Sequence, residues 1–390
     1  MTRFAMPVDL NCSTLAAACA VTIASLYSSP TPAFEIEGSQ GTRLAAEEIA
    51  VFDQPWAMTF LPDDSMLVTE KRGNLVHVTA DGAKTTVGHD IDVAYGGQGG
   101  LGDVLAAPDF ADNRRIYLSY VQSLDGGNTR GARVVSAILE SANGTLELTD
   151  VTELWNQQPH VTGKGHFSHR IALGPQDTPH EGYLFITSGD RQKKTPAQDM
   201  SVNLGKVIRL NLDGSAPDDN PYADQGGIAG QFYSIGHRNL LGIDFDINGN
   251  LWTHEMGPEH GDELNRIAAG HNYGWPVVSD GDEYSGTAIA DHDTRTDFHA
   301  PAVSWVPSIG PAGFVIYDGA RFADWQNNGL IGGLVAKAIV RVKLDGDTAR
   351  EVERYGWDKR IREIEQGPDG AVWILEDKRD ARLLKLTPAG

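Results

Sequence analysis

The chain has 390 residues, and its composition already excludes several classes of protein. Aspartate and glutamate outnumber lysine and arginine by 53 to 32, giving a formal charge of -21, so nucleic acid is excluded as a partner because its phosphates would be repelled. The 44 glycines and 19 prolines exclude a bundle of long helices. Two cysteines are too few for a disulfide framework, whereas 41% hydrophobic residues are enough for a buried core.

The N-terminus has the pattern of a secretory signal peptide. Residues 13–27 are almost all small or apolar, and Thr31-Pro32-Ala33 places small residues where a signal peptidase cuts. An apolar run of about 15 residues is shorter than the roughly 20 that a membrane-spanning helix needs. We therefore predict a signal peptide over residues 1–33, no membrane span, and a periplasmic or secreted protein. Cys12 and Cys19 would leave with the signal, and a chain without cysteine suits an oxidising compartment.

One pattern recurs along the rest of the chain: a polar turn, a short strand rich in Val, Ile, Leu and aromatic residues, and a second strand. The first strands of these units are predicted to begin near residues 66, 116, 183, 251, 330 and 372. Asp-Gly or Asn-Gly dipeptides mark turns between strands, and no stretch keeps a helical period over four turns. The pattern predicts an all-β chain, a six-bladed β-propeller of four-stranded antiparallel blades over residues 34–390. A pair of β-sandwiches is the alternative, but no linker divides the chain.

Two familiar motifs fail on their context. The glycines of residues 97–102 match the dinucleotide-binding pattern G-x-G-x-x-G, but Pro108 would end a helix there within six residues and no βαβ unit surrounds it. The pair His254-Glu255 with His260 lacks the H-E-x-x-H spacing, and Gly257-Pro258 would break the helix that a zinc protease needs.

Four polar clusters remain, each at the edge of a predicted strand. They are GKGHFSHRIALGP (163–175), GHRNLLGIDFD (236–246), HEMGPEHGDELN (254–265) and KRIREIEQGPDG (359–370). The third offers backbone carbonyls and carboxylates, the oxygen ligands that hard cations prefer. The fourth places Arg360 and Arg362 on one face of a strand start, where guanidinium groups can hold an anion. Each cluster alone could be a solvated loop, but on a propeller all four would converge on one face.

In combination, these segments resemble the soluble pyrroloquinoline quinone (PQQ)-dependent glucose and aldose sugar dehydrogenases, the glucose/sorbosone dehydrogenase family. The similarity covers residues 45–388 and is carried, in the family's order, by QPWAMTFLPDDSMLVTEKRGNL, GGQGGLGDVLAAPDF, GHFSHRIALGP, YSIGHRNLLGIDFD, EMGPEHGDELNRIAAGHNYGWP, VPSIGPAGFVIYDG and RIREIEQGPDG. The resemblance implies a six-bladed propeller with PQQ and Ca2+ as cofactors. It also implies oxidation of an aldose at its anomeric carbon to the lactone, with hydride transfer to the quinone.

The resemblance implies a role for each matching position. His166 would be the general base for the hydroxyl proton, with Gln98 beside the active site, and Arg238 would stabilise the charge that develops on the calcium-polarised quinone oxygen. The other implied contacts are Arg238, Asn239, Arg360 and Arg362 to PQQ, the backbone carbonyls of Gly257 and Pro258 to the catalytic calcium, and Glu263, Tyr273 and Glu283 to a second, structural calcium.

Two positions depart from the family's pattern. Val335 stands where the family often has Lys or Arg. We expect either that Lys337, on the same face if the strand keeps its period of two, binds PQQ in its place, or that Arg360 and Arg362 bind PQQ without it. Gly165 stands where the glucose enzymes have an acidic residue before the histidine. His169 is expected to matter less than His166.

Two other functions stay open. A calcium-dependent propeller hydrolase, such as a lactonase, would carry acidic and Asn side chains on its metal, whereas this sequence offers arginines and carbonyls. A non-enzymatic propeller binding module is favoured by Val335 alone. The expected partner is a small sugar; the electron acceptor is unknown, and a monomer and a homodimer are equally compatible with the sequence.

Overall fold

The computed structural model describes residues 1–2, 34–142 and 144–389. Of the predicted signal peptide, residues 3–33, with Cys12 and Cys19, lie outside the described residues. In the part of the chain that is described, no helix has the length and apolar character to cross a membrane. The one α-helix of that part is the single turn α1 (Phe110–Asn113). Short 3-10 helices lie in its loops at Asp125–Gly127, Thr195–Gln198, Ala223–Gln225, Ala229–Gln231, His292–Thr294 and Ala323–Trp325.

The remaining secondary structure of the described residues is β, and residues 34–142 and 144–389 belong to one compact unit. In chain order the strands are β1 (Phe34–Glu37), β2 (Arg43–Phe52), β3 (Pro55–Phe60), β4 (Met66–Glu70), β5 (Asn74–Val78), β6 (Lys84–Gly88), β7 (Leu101–Ala106), β8 (Arg115–Leu124), β9 (Thr129–Ala142), β10 (Thr145–Asn156), β11 (Ser168–Leu173), β12 (Tyr183–Ser188), β13 (Lys206–Asn211), β14 (Phe232–Ile235), β15 (Leu240–Phe245), β16 (Leu251–Glu255), β17 (Asp262–Ile267), β18 (Val303–Trp305), β19 (Pro311–Tyr317), β20 (Asn328–Gly333), β21 (Ala338–Asp345), β22 (Thr348–Gly356), β23 (Ile361–Gln366), β24 (Val372–Glu376) and β25 (Ala381–Pro388).

The sheets are antiparallel meanders in which consecutive strands pair. Three have four strands each: β11–β14, β15–β18 and β19–β22. Strands β3–β6 and β7–β10 are two more meanders, joined into one sheet by a short parallel pairing of β6 with β10. The last sheet has the order β1-β2-β25-β24-β23, so an N-terminal strand pairs with the final strand and closes the fold.

The first strands of the meanders pack side by side in a closed ring. Strand β3 contacts β7, β7 contacts β11, β11 contacts β15, β15 contacts β19, β19 contacts β23, and β23 contacts β3 again. Several four-stranded antiparallel sheets arranged around such a ring are the architecture of a β-propeller. The prediction of an all-β chain is confirmed, and the ring is not the arrangement of two separate sandwiches.

The second strand of each meander is the one that the sequence pattern detected. Strands β4, β16, β20 and β24 are buried along their whole length, and β8 and β12 nearly so. Sheets on both sides cover these strands, so their sequences are almost continuously apolar and stand out. The turns behave as predicted too. Gly82, between β5 and β6, has a φ of 84°, and a Cβ there would collide with the carbonyl oxygen of Ile49.

The strand expected through GGLVAKAIVRV is interrupted, which corrects one prediction. Strand β20 ends at Gly333 and β21 begins at Ala338, so residues 334–337 form the turn of a hairpin. Lys337 has a left-handed φ of 48°, outside the extended region of a strand. The alternation of side chains that would put Val335 and Lys337 on one strand face does not exist here, so the argument for Lys337 as the substitute for residue 335 is wrong.

Candidate active site

A cleft of about 510 Å³ lies where the first strands of the meanders begin and the second strands end. In an antiparallel meander these ends lie side by side. The loops before β7, β11, β15, β19 and β23 therefore meet the loops after β4, β16, β20 and β24. The predicted site residues that line this cleft are Gln98, His166, Arg238, Gly257, Pro258, Arg360 and Arg362. The structure thus brings together residues from all four polar clusters of the sequence.

His166 lies in the loop just before β11 and is held from three sides. Its backbone N–H donates to Gln98 Oε1 at 2.6 Å, and its carbonyl oxygen accepts the backbone N–H of Arg191 at 3.2 Å. Its Nδ1 is 2.7 Å from Asp190 Oδ1. Burial lowers the pKa of His166, the hydrogen bond to Asp190 opposes this shift, and the charge of Arg238 lowers the pKa further. The imidazole is therefore neutral near pH 7.

Asp190 fixes the tautomer of that imidazole. Burial would raise the pKa of Asp190, but hydrogen bonds from His166, Trp275 and Gln192 outweigh burial and hold the pKa below its ordinary value. The Nε1 of Trp275 donates to Oδ2 at 2.9 Å, and the Gln192 N–H donates to Oδ1 at 2.7 Å. An ionised carboxylate accepts the Nδ1 proton, which leaves the lone pair on Nε2. In the described residues, Nε2 has no hydrogen-bond partner, so it is available as a base.

Arg238 and Asn239 supply donors that nothing else uses. Arg238 donates from its backbone to Glu255 Oε2 at 2.6 Å and from Nη1 to the Met256 carbonyl at 2.8 Å, which fixes the side chain in the cleft. Arg238 Nε and Asn239 Nδ2 are buried, and neither has a hydrogen-bond partner among the described residues. Buried donors without partners are costly. Arg238 lines the cleft and the buried Asn239 does not, so Arg238 Nε is the donor that is available to an acceptor from outside the protein.

The Gly257-Pro258 turn connects β16 to β17 and lines the cleft. Asp262 holds it from behind: Oδ1 accepts the Gly257 N–H at 3.0 Å, and Oδ2 accepts the N–H groups of Ile309 at 2.9 Å and Gly310 at 2.7 Å. A Cβ at Gly257 would collide with the carbonyl oxygens of His260 and Gly261, so the turn needs glycine there. Across the described residues, no hydrogen bond ends on the carbonyl of Gly257 or Pro258.

Arg360 and Arg362 share one carboxylate at the opposite side of the site. Arg360 Nε is 2.7 Å from Asp377 Oδ2, and Arg362 Nη2 is 2.9 Å from Asp377 Oδ1. Burial would raise the pKa of Asp377, but Arg362 and Arg360 hold it below its ordinary value. One carboxylate balances two guanidinium groups, so this side of the cleft keeps an excess of positive charge in a protein that is acidic overall.

The three residues predicted for a second calcium lie in three separate hydrogen-bonded groups. Glu263 Oε1 is 3.2 Å from His292 Nε2, the Tyr273 hydroxyl donates to the Arg266 carbonyl at 2.6 Å, and Glu283 Oε1 is 2.5 Å from Lys194 Nζ. None of these three residues lines the cleft, and no three His, Cys, Asp or Glu side chains of the described residues gather as metal ligands. The second calcium stays a prediction from the sequence.

Four further positions singled out in the sequence are His169, Val335, Lys337 and Gly165. His169 is inside β11 and does not line the cleft; its Nδ1 is 2.7 Å from Ser119 Oγ, its ring stacks on Trp56, and burial lowers its pKa to about 3. Val335 lines the cleft and is 62% exposed, whereas Lys337 does not line the cleft. A Cβ at Gly165 would meet the Gln192 amide at its Oε1, so a larger residue there would displace that side chain.

Sequence reasoning missed two functional groups of the site. Asp190 follows β12 in the sequence ITSGDR, and Lys71 follows β4 in TEKRGNL; Lys71 lines the cleft and donates from Nζ to the Gly97 carbonyl at 2.8 Å. Both positions lie directly after a buried second strand. Their location just after a buried strand could have identified them in the sequence, because the ends of these strands meet at the cleft.

Comparison with known proteins agrees with this geometry. The family model described as Glucose / Sorbosone dehydrogenase matches residues 52–385. Aldose sugar dehydrogenase YliI of Escherichia coli K12 is 36% identical over 343 residues, covering 86% of this chain and 90% of the relative. The crystal structure of soluble aldose sugar dehydrogenase from Escherichia coli in the apo-form superposes with a TM-score of 0.83 at 35% identity, covering 89% of this chain and 100% of that one.

A more distant structure shares the fold. The PQQ-bound form of aldose sugar dehydrogenase from Streptomyces coelicolor is 24% identical, with a TM-score of 0.70 and coverage of 88% of this chain and 98% of that chain. Together, the fold, the cleft and the family match define an oxidoreductase of the β-propeller type. The chain belongs to the glucose/sorbosone dehydrogenase family.

Proposed function

We propose that the chain is a PQQ- and calcium-dependent aldose sugar dehydrogenase that oxidises the anomeric hydroxyl of a cyclic sugar to the lactone. The observation that carries the proposal is the buried, unpartnered Nε donor of Arg238 in the same cleft as a neutral, oriented histidine, His166. An oxygen acceptor of a bound quinone would satisfy that donor. The chain's membership in the glucose/sorbosone dehydrogenase family supports a sugar as the substrate.

The residues present fit an anionic quinone and a hard cation. PQQ carries three carboxylates, and the cleft offers the guanidinium groups of Arg238, Arg360 and Arg362. Free carbonyl oxygens at Gly257 and Pro258 suit calcium, which prefers oxygen ligands. These residues would hold the two groups. When bound, PQQ supplies the acceptor for a hydride, and calcium supplies a Lewis acid.

His166 would carry the proton step. Its Nε2 removes the proton of the anomeric hydroxyl as the hydride leaves the anomeric carbon, so the sugar loses two electrons and two hydrogens and becomes a lactone. Asp190 holds the imidazole in the required tautomer and stabilises the imidazolium that forms. Arg238 stabilises negative charge that develops on the acceptor oxygen.

A calcium-dependent hydrolase fits the same residues less well. Such a site would present free acidic side chains to the metal. In the described part of the chain, the two acidic residues that line the cleft are already engaged: Asp262 by three backbone N–H groups and Asp377 by two arginines. Because the cleft offers free hydrogen-bond donors and few free carboxylates, it favours redox chemistry on a quinone over calcium-dependent hydrolysis.

The finer architecture and the location are part of this proposal. Meanders β3–β6, β7–β10, β11–β14, β15–β18 and β19–β22, together with β2 and β23–β25, would be six blades. Residues 1–33 would direct export and be removed, leaving the enzyme periplasmic or secreted. Mass spectrometry of the N-terminus of the exported protein tests the cleavage site.

The decisive experiment is reconstitution. Protein made without PQQ and stripped with EDTA is assayed for dye-linked oxidation of a panel of aldoses, with PQQ and Ca2+ added alone and together. We expect turnover when both are present. Full activity in metal-free, PQQ-free protein contradicts the proposal. Calcium-dependent lactone hydrolysis without PQQ would support the hydrolase, and neither PQQ binding nor either activity would support a binding module.

A further inference from the structure

The positive side of the cleft contains a cation besides the arginines. Lys71 follows β4, and its Nζ bonds to the Gly97 carbonyl at 2.8 Å. In the described residues no carboxylate lies within ion-pair distance of this ammonium group, whereas Arg360 and Arg362 both pair with Asp377. A Cβ at Gly100 would collide with the Lys71 carbonyl oxygen, and that oxygen accepts the Leu101 N–H, so the backbone of Lys71 is fixed against the loop before β7.

The hairpin between β20 and β21 contributes no charge to the same cleft. Val335 lines the cleft with an apolar side chain. Lys337 has a left-handed backbone conformation and does not line the cleft. An anion with three carboxylates bound in this cleft would find Lys71, and the more exposed Lys378, in its lining in addition to the arginines. A carboxylate that is buried without a cation would cost several kcal/mol.

We propose that Lys71 is a PQQ-binding residue that takes the place of the basic residue missing at position 335, and that it takes up a proton when PQQ binds. This inference rests on the proposed function and adds a residue that the sequence comparison did not assign.

The charges around Lys71 support the uptake of a proton. Burial lowers the pKa of Lys71 to about 8, Arg362 and Arg360 lower it as well, and Asp377 opposes them. The other titratable or charged groups that line the cleft are His166, Arg238, Asp262, Tyr284 and Lys378. A carboxylate of PQQ beside the ammonium group would raise the pKa again, because an opposite charge favours the protonated form. Above pH 8 the free protein then has a mostly neutral Lys71, and the complex a charged one.

Calorimetric titration of PQQ into the calcium-loaded apoprotein at pH 8.5 tests both parts. The heat is measured in two buffers of different ionisation enthalpy, which gives the number of protons taken up. We expect Lys71→Met to weaken PQQ binding at least tenfold. Lys71→Arg should bind PQQ like the wild type but take up fewer protons, because arginine is already charged. The matched control is Lys337→Met, a turn lysine outside the cleft, which should change neither quantity.

Two results would overturn the inference: wild-type affinity in Lys71→Met, or wild-type proton uptake in Lys71→Arg. The arginine variant keeps the test valid if the methionine variant fails to fold. Failure of the wild type itself to bind PQQ would instead contradict the proposed function, so the two failures are distinguishable.

Discussion

At the scale of single residues, the site is built around one imidazole whose protonation is controlled by its neighbours. Burial and Arg238 keep His166 neutral, Asp190 holds the proton on Nδ1, and Gln98 fixes the backbone. The resemblance to the family pointed to His166, Gln98 and Arg238, since they lie in the segments that carry it. Asp190 was missed because its partner is 24 residues away along the chain, and only the pairing of β11 with β12 brings them together.

Replacing His166 tests the proposed base. His166→Ala should lower turnover of aldoses by about 10²–10⁴-fold, the usual contribution of a general base. Affinity for PQQ should stay close to that of the wild type, because the arginines remain. Steady-state kinetics with PQQ and Ca2+, combined with direct PQQ titration, separates the two quantities.

His169 is the control for that prediction. His169→Ala should reduce turnover less, and its main effect should be a lower melting temperature, because the ring is buried, bonded to Ser119 and stacked on Trp56. Wild-type turnover in His166→Ala would show that the base lies elsewhere.

Asp190 is expected to act through His166 as a positioning residue. Every bond to its two oxygens comes from a donor, so the amide of Asp190→Asn must turn an NH2 group toward one of those donors. We expect turnover to fall at least tenfold, equivalent to about 1.4 kcal/mol. The carboxylate raises the pKa of His166, so its loss should move the acid limb of the kcat/KM profile to lower pH. An unchanged profile with normal turnover would refute this role.

At the scale of elements, the second strands of the meanders could be read directly from the sequence, and the first strands could not. Strands such as β4 and β24 are buried throughout and begin with a run of apolar residues, 66–68 in β4 and 372–375 in β24. Strands of the ring carry polar side chains such as Asp103 in β7 and Arg170 in β11, because they face the middle of the propeller, so their hydrophobic pattern is broken. The turn at 334–337 was missed for the opposite reason: its first three residues are apolar and continue the pattern of β20 without a visible break.

The loop between β16 and β17 gives a prediction at this scale. If backbone carbonyls hold the catalytic calcium, the shape of the loop matters more than its side chains. Gly257→Ala should weaken calcium binding strongly because its Cβ collides with the backbone at His260 and Gly261, and deletion of one residue from 256–262 should abolish binding. Pro258→Ala should have a milder effect. Calcium titrations of the apoprotein with PQQ present measure the affinities; a larger loss in Pro258→Ala than in Gly257→Ala would contradict this view.

At the scale of the whole molecule, the ring encloses a second cavity, of about 320 Å³, whose charges are not balanced. Its lining includes the carboxyl groups of Asp103, Asp244, Glu363 and Glu365, with Arg170 as the cation that lies among them. Arg170 Nη1 is 3.2 Å from Asp103 Oδ1 and 2.5 Å from Glu363 Oε2. Burial raises the pKa of Asp244 and of Glu363 to about 7. The centre of the propeller therefore favours the protonated form of these carboxyl groups more than water does.

This cluster predicts how stability depends on pH. Burial first, and then the charges of Glu363, Asp244 and Asp103, raise the pKa of Glu365 well above its ordinary value of 4.5. A carboxyl group with a raised pKa costs nothing while it is protonated in both states, and it destabilises the folded state progressively as pH rises above its unfolded value. Glu365→Gln, which cannot ionise, should therefore raise the melting temperature at pH 8 and change it little at pH 4.5.

Thermal unfolding of the apoprotein at the two pH values, without PQQ or Ca2+, measures this difference. Glu147→Gln, at an exposed glutamate of β10, is the matched control and should show the same small change at both pH values. The prediction depends on the sign of the net electrostatic effect. The repulsion between carboxylates in the central cavity is expected to exceed the attraction that Arg170 provides. If Glu365→Gln were instead destabilising at pH 8, the charged form of Glu365 would be stabilised by a partner, and the centre of the propeller would be balanced rather than short of positive charge.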